Sequence, residues 1–428
     1  MASLSYIQYI PADIQVRNGV VERTPMKFPG DLKRLPQVIW KSCEPWREAN
    51  LWAHQRAHAG TNIKTISSQM GSVCYYANWL ETEGTHWWDF PVKKQDRCLI
   101  RFRGSLIRSR NAGDLAASTA TKIMRNVIAF YRWLRVEKLF QPEWPMWNER
   151  QMQIVVANQF GFERTMLITT TDLAIKNNKR GGETLEDGLL PVSTQDRDRI
   201  LRFAKLHASE EMFLLLSLGF YTGMRIGTLC DLKLETLRKA APDPLAEGLY
   251  RISVGPAAKP SVQTKHGVNG QIWITREHLD QLLSYCHSTR RIIRESKASQ
   301  HNKDLVFLTR YGNPYLKADG LPGSAINVEM HGLRTKAIAK QEKSLDKFRF
   351  HQTRCTYATE LARILIPVSG PINALAIVKD ALLHRDEATT LRYIKFVEKT
   401  PAKVAMANEF TRAFLGSAFF AGDKTCSE

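Results

Sequence analysis

Apolar residues recur at helical spacing along most of this chain. Ile66, Met70, Val73, Cys74, Ala77 and Leu80 share one face of a helix over Ile63–Glu83, and Ile123, Val127, Phe130, Tyr131 and Leu134 do so over Leu115–Phe140. Between them, Lys93–Arg110 sets Lys93, Lys94, Arg97, Arg101, Arg103, Arg108 and Arg110 among apolar residues. Such a run is either a solvated helix face or a surface that tracks a phosphate backbone, and spacing alone does not separate the two. Residues 1–35 hold Pro11, Pro25, Pro29 and Gly30 with little periodicity, which predicts an extended arm. Lys176–Leu190 is polar, carries Gly181, Gly182 and Gly188, and predicts an interdomain linker over 176–190.

The pattern changes after that break. Ser193–Asp196 resembles a capping box and opens a helix to about Leu206. Glu210–Tyr221 is strongly apolar, with Gly223 as its natural stop. Tyr250–Val254, Ser261–Lys265 and Gln271–Thr275 predict three short antiparallel strands, with turns at Pro256–Pro260 and His266–Gly270. Helices are predicted at about 276–297, 324–341, 351–366, 371–382, 387–397 and 401–416. The fold class is therefore mainly α: a helical domain over 36–175, then a mixed α/β domain over 191–400 with a small antiparallel sheet. The 1–35 arm and a 401–428 tail flank them. Nine of the ten tryptophans lie between Trp40 and Trp147, which marks the first domain as packed and aromatic-rich.

Charge adds a partner to this picture. The net charge is +19, and both halves share it: residues 1–190 hold 26 Lys+Arg against 18 Asp+Glu, and 191–428 hold 35 against 24. A chain this basic most often binds a polyanion, nucleic acid first. The longest apolar stretch, Met212–Tyr221, has the length of a core helix, so no membrane span is expected. The N-terminus lacks a basic, then apolar, leader, so no secretory signal is expected. The seven cysteines (43, 74, 98, 230, 286, 355 and 426) are odd in number and never C-x-x-C. Neither a disulfide framework nor a zinc site is expected, which fits a reducing, cytoplasmic setting.

Four segments of the second half carry candidate chemistry. Phe220–Lys233 ends a buried helix at a glycine, with Arg225 directly after the turn. Taken alone, that arginine is best read as a helix cap or a partner of Asp231. Val262–Thr275 is a hairpin with Lys265 at its turn. In Phe348–Ala362, His351 and Arg354 share one face of a helix in its first turn, where free N–H groups favour an anion. In Leu382–Ile394, His384 precedes a helix and Tyr393 lies nine residues on. Each of these is weak alone. Tyr357 and Tyr221 are most simply core residues.

In this order, T-G-x-R-x-G-x-L-C, T-K-x-G-V, H-x-x-R and H-x8-Y together resemble the tyrosine recombinase (phage integrase) family, over about residues 190–400. For 36–175 the resemblance is architectural only: a basic helical domain where the family has its core-binding domain. The resemblance implies a clamp around double-stranded DNA and cleavage through a 3′-phosphotyrosyl intermediate, with no metal or cofactor. Arg225 and Arg354 would grip the scissile phosphate with planar forks. Tyr393 would be the nucleophile, Lys265 the general acid, His351 the acceptor of the tyrosine proton, and His384 a hydrogen-bond donor to the phosphate. It further implies a homotetramer on paired DNA sites, accessory DNA-bending or recombination proteins as possible partners, and a nucleoid-associated, cytoplasmic protein. Thr228 departs from the family's acidic residue, with Asp231 one turn later as a candidate substitute. Leu383 stands where a glycine is usual, and Lys259 rivals Lys265. Two other readings stay open: a type IB topoisomerase-like relaxing enzyme, and a non-catalytic architectural DNA-binding protein. The tail helix over 401–416, with Val404, Phe410 and Phe414 along it, either packs on its own domain or, as the resemblance implies, docks on a neighbouring protomer with Phe419-Phe420 as its anchor.

Overall fold

The structure, a computed structural model, describes residues 1–10, 12–25, 32–157, 163–176, 185–316 and 324–400. The chain divides into two compact units, Met1–Gly181 and Gly182–Glu428. The expected tail over 401–428 lies outside the described residues.

The first unit opens with strands β1 (Ser3–Tyr9), β2 (Ala12–Arg17), β3 (Val20–Pro25) and β4 (Leu32–Ile39). Helices α1 (Arg47–His58), α2 (Ile63–Glu83), α3 (Cys98–Ala112) and α4 (Ala117–Val136) follow, then the hairpin β5 (Glu149–Ala157) and β6 (Glu163–Thr171). Trp46, Trp52, Tyr76, Phe102, Phe130 and Tyr131 fill the core between the helices. The Tyr76 and Tyr131 hydroxyls meet at 2.8 Å, and Tyr131 donates to the Trp87 carbonyl at 2.5 Å, so these buried phenols keep partners.

The expected arm over 1–35 is replaced by two antiparallel pairs, β1 with β4 and β2 with β3. Ala2, Leu35 and Val38 enter the helical core. Asn50 of α1 completes the edge of β4: its Oδ1 accepts from Val38 N at 2.7 Å and its Nδ2 donates to Val38 O at 3.1 Å. The β2–β3 turn is Asn18-Gly19, both at positive φ (51° and 78°), a strong short-range hairpin signal. The basic run resolves mostly toward internal use. Arg97 is buried and donates to the carbonyls of Pro91, Val92 and Pro145. Arg101 pairs with Glu83, and Lys94 with Asp172. Lys93 and Arg108 remain exposed.

The second unit runs through α5 (Thr194–His207), α6 (Glu210–Thr222), α7 (Ile226–Cys230) and α8 (Leu234–Arg238). A sheet follows, ordered β7 (Ala241–Pro242), β8 (Leu249–Val254), β9 (Gly270–Thr275). Then come α9 (Arg276–Cys286), α10 (Thr289–Ser296), α11 (Ser324–Ala339), α12 (Gln352–Leu382) and α13 (387–400). Ser193 caps α5 by accepting from Asp196 N at 3.0 Å, as the capping box predicts. The expected helix over 276–297 is two helices, because Ser288 caps a new one by accepting from Arg291 N at 3.2 Å. The expected strand Ser261–Lys265 shrinks to one bridge, Gly255 with Val262, and β7 is the third strand. Tyr221 is not core: it is 39 % exposed, with the Arg197 guanidinium over its ring at 5.7 Å.

Helix α12 is long and apolar enough to cross a membrane by length and composition. It breaks at Gly370 (φ 75°, ψ 164°) between Pro367 and Pro371, and its first half packs on α6. Two glycines permit that contact. A Cβ on Gly219 would lie 2.6 Å from Thr353 Oγ1, and one on Gly223 would collide with the Tyr357 ring and lie 2.9 Å from Leu382 Cδ2. Gly223 also takes φ +65° to end α6. Glu211, fully buried at the start of α6, accepts from Arg290, Arg294 and Tyr285, which fixes the helix's other end to α9 and α10. Gly223→Ala therefore meets both strain and overpacking, and should cost about 2 kcal/mol or more in chemical denaturation of the second unit. An unchanged midpoint would show that α6 and α12 can separate freely.

Candidate active site

Arg354 stands in the first turn of α12, where the close α6–α12 contact buries it to 3 % exposure. Its Nη1 donates to the Gly223 carbonyl at 2.7 Å and its Nη2 to the Leu382 carbonyl at 2.7 Å. One guanidinium thus ties the C-terminal ends of α6 and α12, satisfying carbonyls left free where helices stop. Arg225 follows Gly223 by two residues, at the N-cap of α7. His351 precedes α12 as its N-cap. His384 follows Leu382 by two residues, and Tyr393 lies on α13, fully buried.

These groups converge on the carboxylate of Glu186. Arg225 Nη2 donates to Oε1 at 2.6 Å. Oε2 receives Arg354 Nε at 3.2 Å, His384 Nε2 at 3.4 Å and the Tyr393 hydroxyl at 3.4 Å, with His351 Nε2 at 3.8 Å. Burial opposes ionisation of Glu186, but the His384 hydrogen bond and the charges of Arg354 and Arg225 outweigh it and hold the carboxyl far below its usual range. Burial, with Arg225 beside it, pushes Arg354 down to about 10, which leaves it charged at neutral pH. Burial lowers His384 despite the carboxylate. A neutral His384 that donates from Nε2 accepts the Thr390 hydroxyl at Nδ1, 2.9 Å away. Burial, then Cys355 and Glu186, raise the Tyr393 phenol well above its usual value, so it keeps its proton.

Lys265 sits in the turn Lys265–Gly267, with His266 at φ 63°, and is exposed. It lines a small cleft together with Arg225, Arg354, Thr264 and Leu383. Lys259 lines a separate cleft with Thr236, Lys239 and Asn269. Asp231 does not face Arg225. Its carboxylate accepts from Gln263 N at 2.6 Å and from Lys233 Nζ at 3.5 Å, and Lys233 also donates to the Ser261 carbonyl. Asp231 therefore braces the segment that leads to Lys265, and Thr228 is simply buried. Leu383 takes the left-handed conformation (φ 52°, ψ 48°) that explains a glycine preference there, at a cost of roughly 1–2 kcal/mol. Its side chain fills the space that a Cβ on Gly270 would occupy.

The expected linker over 176–190 is corrected by the same geometry. Leu185 is buried beside Cys355 and Tyr393, Gln352 Nε2 donates to Leu190 O at 3.0 Å, and Val192 N donates to Thr356 Oγ1 at 3.0 Å. Residues 185–192 thus belong to the second unit. The sequence signal for this was the apolar set Leu185, Leu189 and Leu190 around a glutamate. Tyr357 packs against Gly223, and burial pushes its phenol up to about 12. Among the described residues no group of three or more His, Cys, Asp or Glu could hold a metal ion. The chain contains one H-x3-H pair, His54 and His58 on α1. Both rings hydrogen-bond the Tyr9 hydroxyl, at 2.5 and 3.0 Å.

Residues 192–399 match the phage integrase family. The second unit carries a phage integrase domain. No curated protein matches the sequence. Among solved structures, the chain is similar to the Tn1549 transposon integrase in complex with a circular intermediate DNA (14 % identity, 81 % of this chain and 94 % of that one, TM-score 0.48). A lambda integrase dimer bound to a COC′ core site matches at 14 % identity over 81 % and 94 % of the two chains, with a TM-score of 0.44. XerA recombinase matches at 15 % over 81 % and 92 %, with a TM-score of 0.32.

In this phage integrase domain the two arginines have unequal structural duties. Arg354→Ala removes a buried cation and two helix-end bonds, and should cost about 3–5 kcal/mol. Arg225→Ala, at a half-buried position, should cost about 1 kcal/mol. Equal midpoints in urea would refute this division. The pH dependence follows from Glu186. Its folded value is depressed from 4.5, so its contribution is complete above about pH 4.5 and is lost as pH falls below that. The stability gap between the native chain and Glu186→Gln should therefore narrow on acidification. A gap that widens below pH 4.5 would contradict an ionised, paired carboxylate.

Proposed function

We propose that this chain breaks and rejoins double-stranded DNA through a 3′-phosphotyrosyl intermediate. The observation that carries this reading is the convergence of Arg225, Arg354, His384 and Tyr393, all from one chain, on a single oxyanion. In place of that carboxylate, a scissile phosphodiester would put one non-bridging oxygen on Arg225 and another on Arg354 and His384. Arg354 has Nη1 and Nη2 committed to carbonyls, so Nε, the atom that now donates to Glu186, would carry its contact to the phosphate. Tyr393 Oη would attack phosphorus, and its proton would leave toward His351. The Tyr–O–P bond forms as the P–O5′ bond breaks, and Lys265 supplies a proton to O5′. The arginines oppose the charge that grows on the phosphoryl oxygens. Because the covalent link conserves the phosphodiester's energy, the 5′-hydroxyl of another strand can reverse it.

Exchange between two duplexes cuts four strands, so four active sites are needed. A homotetramer on two paired sites supplies them, with DNA-bending proteins as partners where the duplex must curve. Positive charge on both halves supports a clamp around the duplex, and such a protein works in the compartment that holds the DNA.

The test begins with a pool of nicked duplexes of random sequence, from which SDS-resistant adducts are captured and sequenced. The native chain should yield adducts enriched in one core sequence. Tyr393→Phe should yield none while still binding the selected duplex, since it loses one oxygen and no charge. Lys265→Ala should cleave about 10²-fold slower or worse, as expected on losing a general acid, and recover on a 5′-phosphorothiolate, whose sulfur leaves without a proton. Lys259→Ala should cleave normally. An adduct on Tyr393→Phe, or rescue of the Lys259 variant alone, would overturn the assignments.

A further inference from the structure

Glu186 has no part in the bond-making and bond-breaking steps set out above. It is a carboxylate set among groups that the reaction needs for a phosphate. Its two oxygens divide as a phosphate's would, one on Arg225 and one shared by Arg354, His384 and Tyr393. It is only 7 % exposed. The segment that carries it is fastened at several points. Leu185 is buried in the cluster that holds Tyr393, Leu185 N donates to Leu189 O at 3.0 Å, and the Leu190 carbonyl and Val192 amide bond to Gln352 and Thr356 on the first turns of α12.

Two physical demands meet here. Arg225 and Arg354 repel each other, and burying Arg354 without an anion is costly. An anion must therefore sit between them when no DNA is bound. The same place cannot hold Glu186 and a phosphodiester together, because like charges would share one set of donors. We propose that Glu186 is a built-in phosphate surrogate, which keeps the cradle assembled and closed until a DNA backbone displaces the 185–192 strap. The inference rests on the reading above for its DNA arm, but not for its anion arm. Displacement exchanges one anion for another, so the arginines never stand bare. Cleavage then depends on a strap movement as well as on binding. The tyrosine is likewise held: its hydroxyl donates to Glu186 and has no phosphorus to attack until the strap leaves.

The experiment uses the full chain and two variants, Glu186→Gln, which keeps the shape, and Glu186→Ala, which empties the position. Inorganic phosphate is the first probe. It should raise the melting temperature of Glu186→Ala by several degrees as the vacated cradle fills, and leave the native chain nearly unmoved. The selected nicked duplex is the second probe. At saturating DNA, both variants should form the covalent adduct about tenfold faster than the native chain. Should Glu186→Ala show no added response to phosphate, or should both variants cleave about 10²-fold slower than the native chain, as on losing a working catalytic group, Glu186 is a working part of the site and the surrogate idea fails. Unchanged cleavage rates would overturn the gating step. If no protein forms an adduct, the DNA-cleaving reading fails, and the phosphate arm alone decides whether Glu186 fills an anion cradle.

Discussion

The buried guanidinium of Arg354 is the constraint from which the second unit's site is built. It bonds the last carbonyls of α6 and α12 and so fixes where both helices end. Arg225 leaves from one of those ends and His384 from the other, while His351 begins the helix that carries Arg354 itself. Burial of the cation is tolerable only because each of its nitrogens has a partner and a carboxylate stands beside it. Geometry and electrostatics are thus one problem here: the group that positions the site is also the group that requires an anion in it.

The glycines at 219 and 223 serve that constraint. They bring α6 close enough to α12 for one side chain to reach two helix ends, and the left-handed turn at Gly223 aims the chain toward Arg225. Leu383 makes the matching turn at the other end without glycine's freedom. Its side chain lies over Gly270, so a strained backbone at one position is accompanied by an absent side chain at another. Asp231 does comparable work at a distance by bracing the loop that ends at Lys265.

Long amphipathic helices were legible because period and caps agreed, as at Ser193 and across α2 and α4. The six candidate site residues were legible as an ordered set of short motifs, and five of them, all but Lys265, lie within 4 Å of one carboxylate. Glu186 was not legible. It lies in a polar, glycine-rich stretch, and only tertiary contacts show that Leu185 is core. The N-terminal strands were hidden because β1 pairs with β4, more than twenty residues away, and short alternation interrupted by proline reads as an arm. The split of α9 from α10 rests on a single serine cap, a signal easily outweighed by apolar residues on both sides.

The fate of the arginines bears on how tightly this protein can hold a polyelectrolyte. The formal charge of +19 counts every guanidinium equally. Arg97, Arg291, Arg294 and Arg354 are buried, and each donates to backbone carbonyls. Arg101, Arg135 and Lys94 stand opposite carboxylates. Counterions condensed on DNA are released by cations that reach its surface, not by those spent inside a fold. On the proposed DNA-binding reading, the ionic-strength dependence of the affinity would therefore be set by a subset of the lysines and arginines, and would be shallower than a tally of the sequence implies.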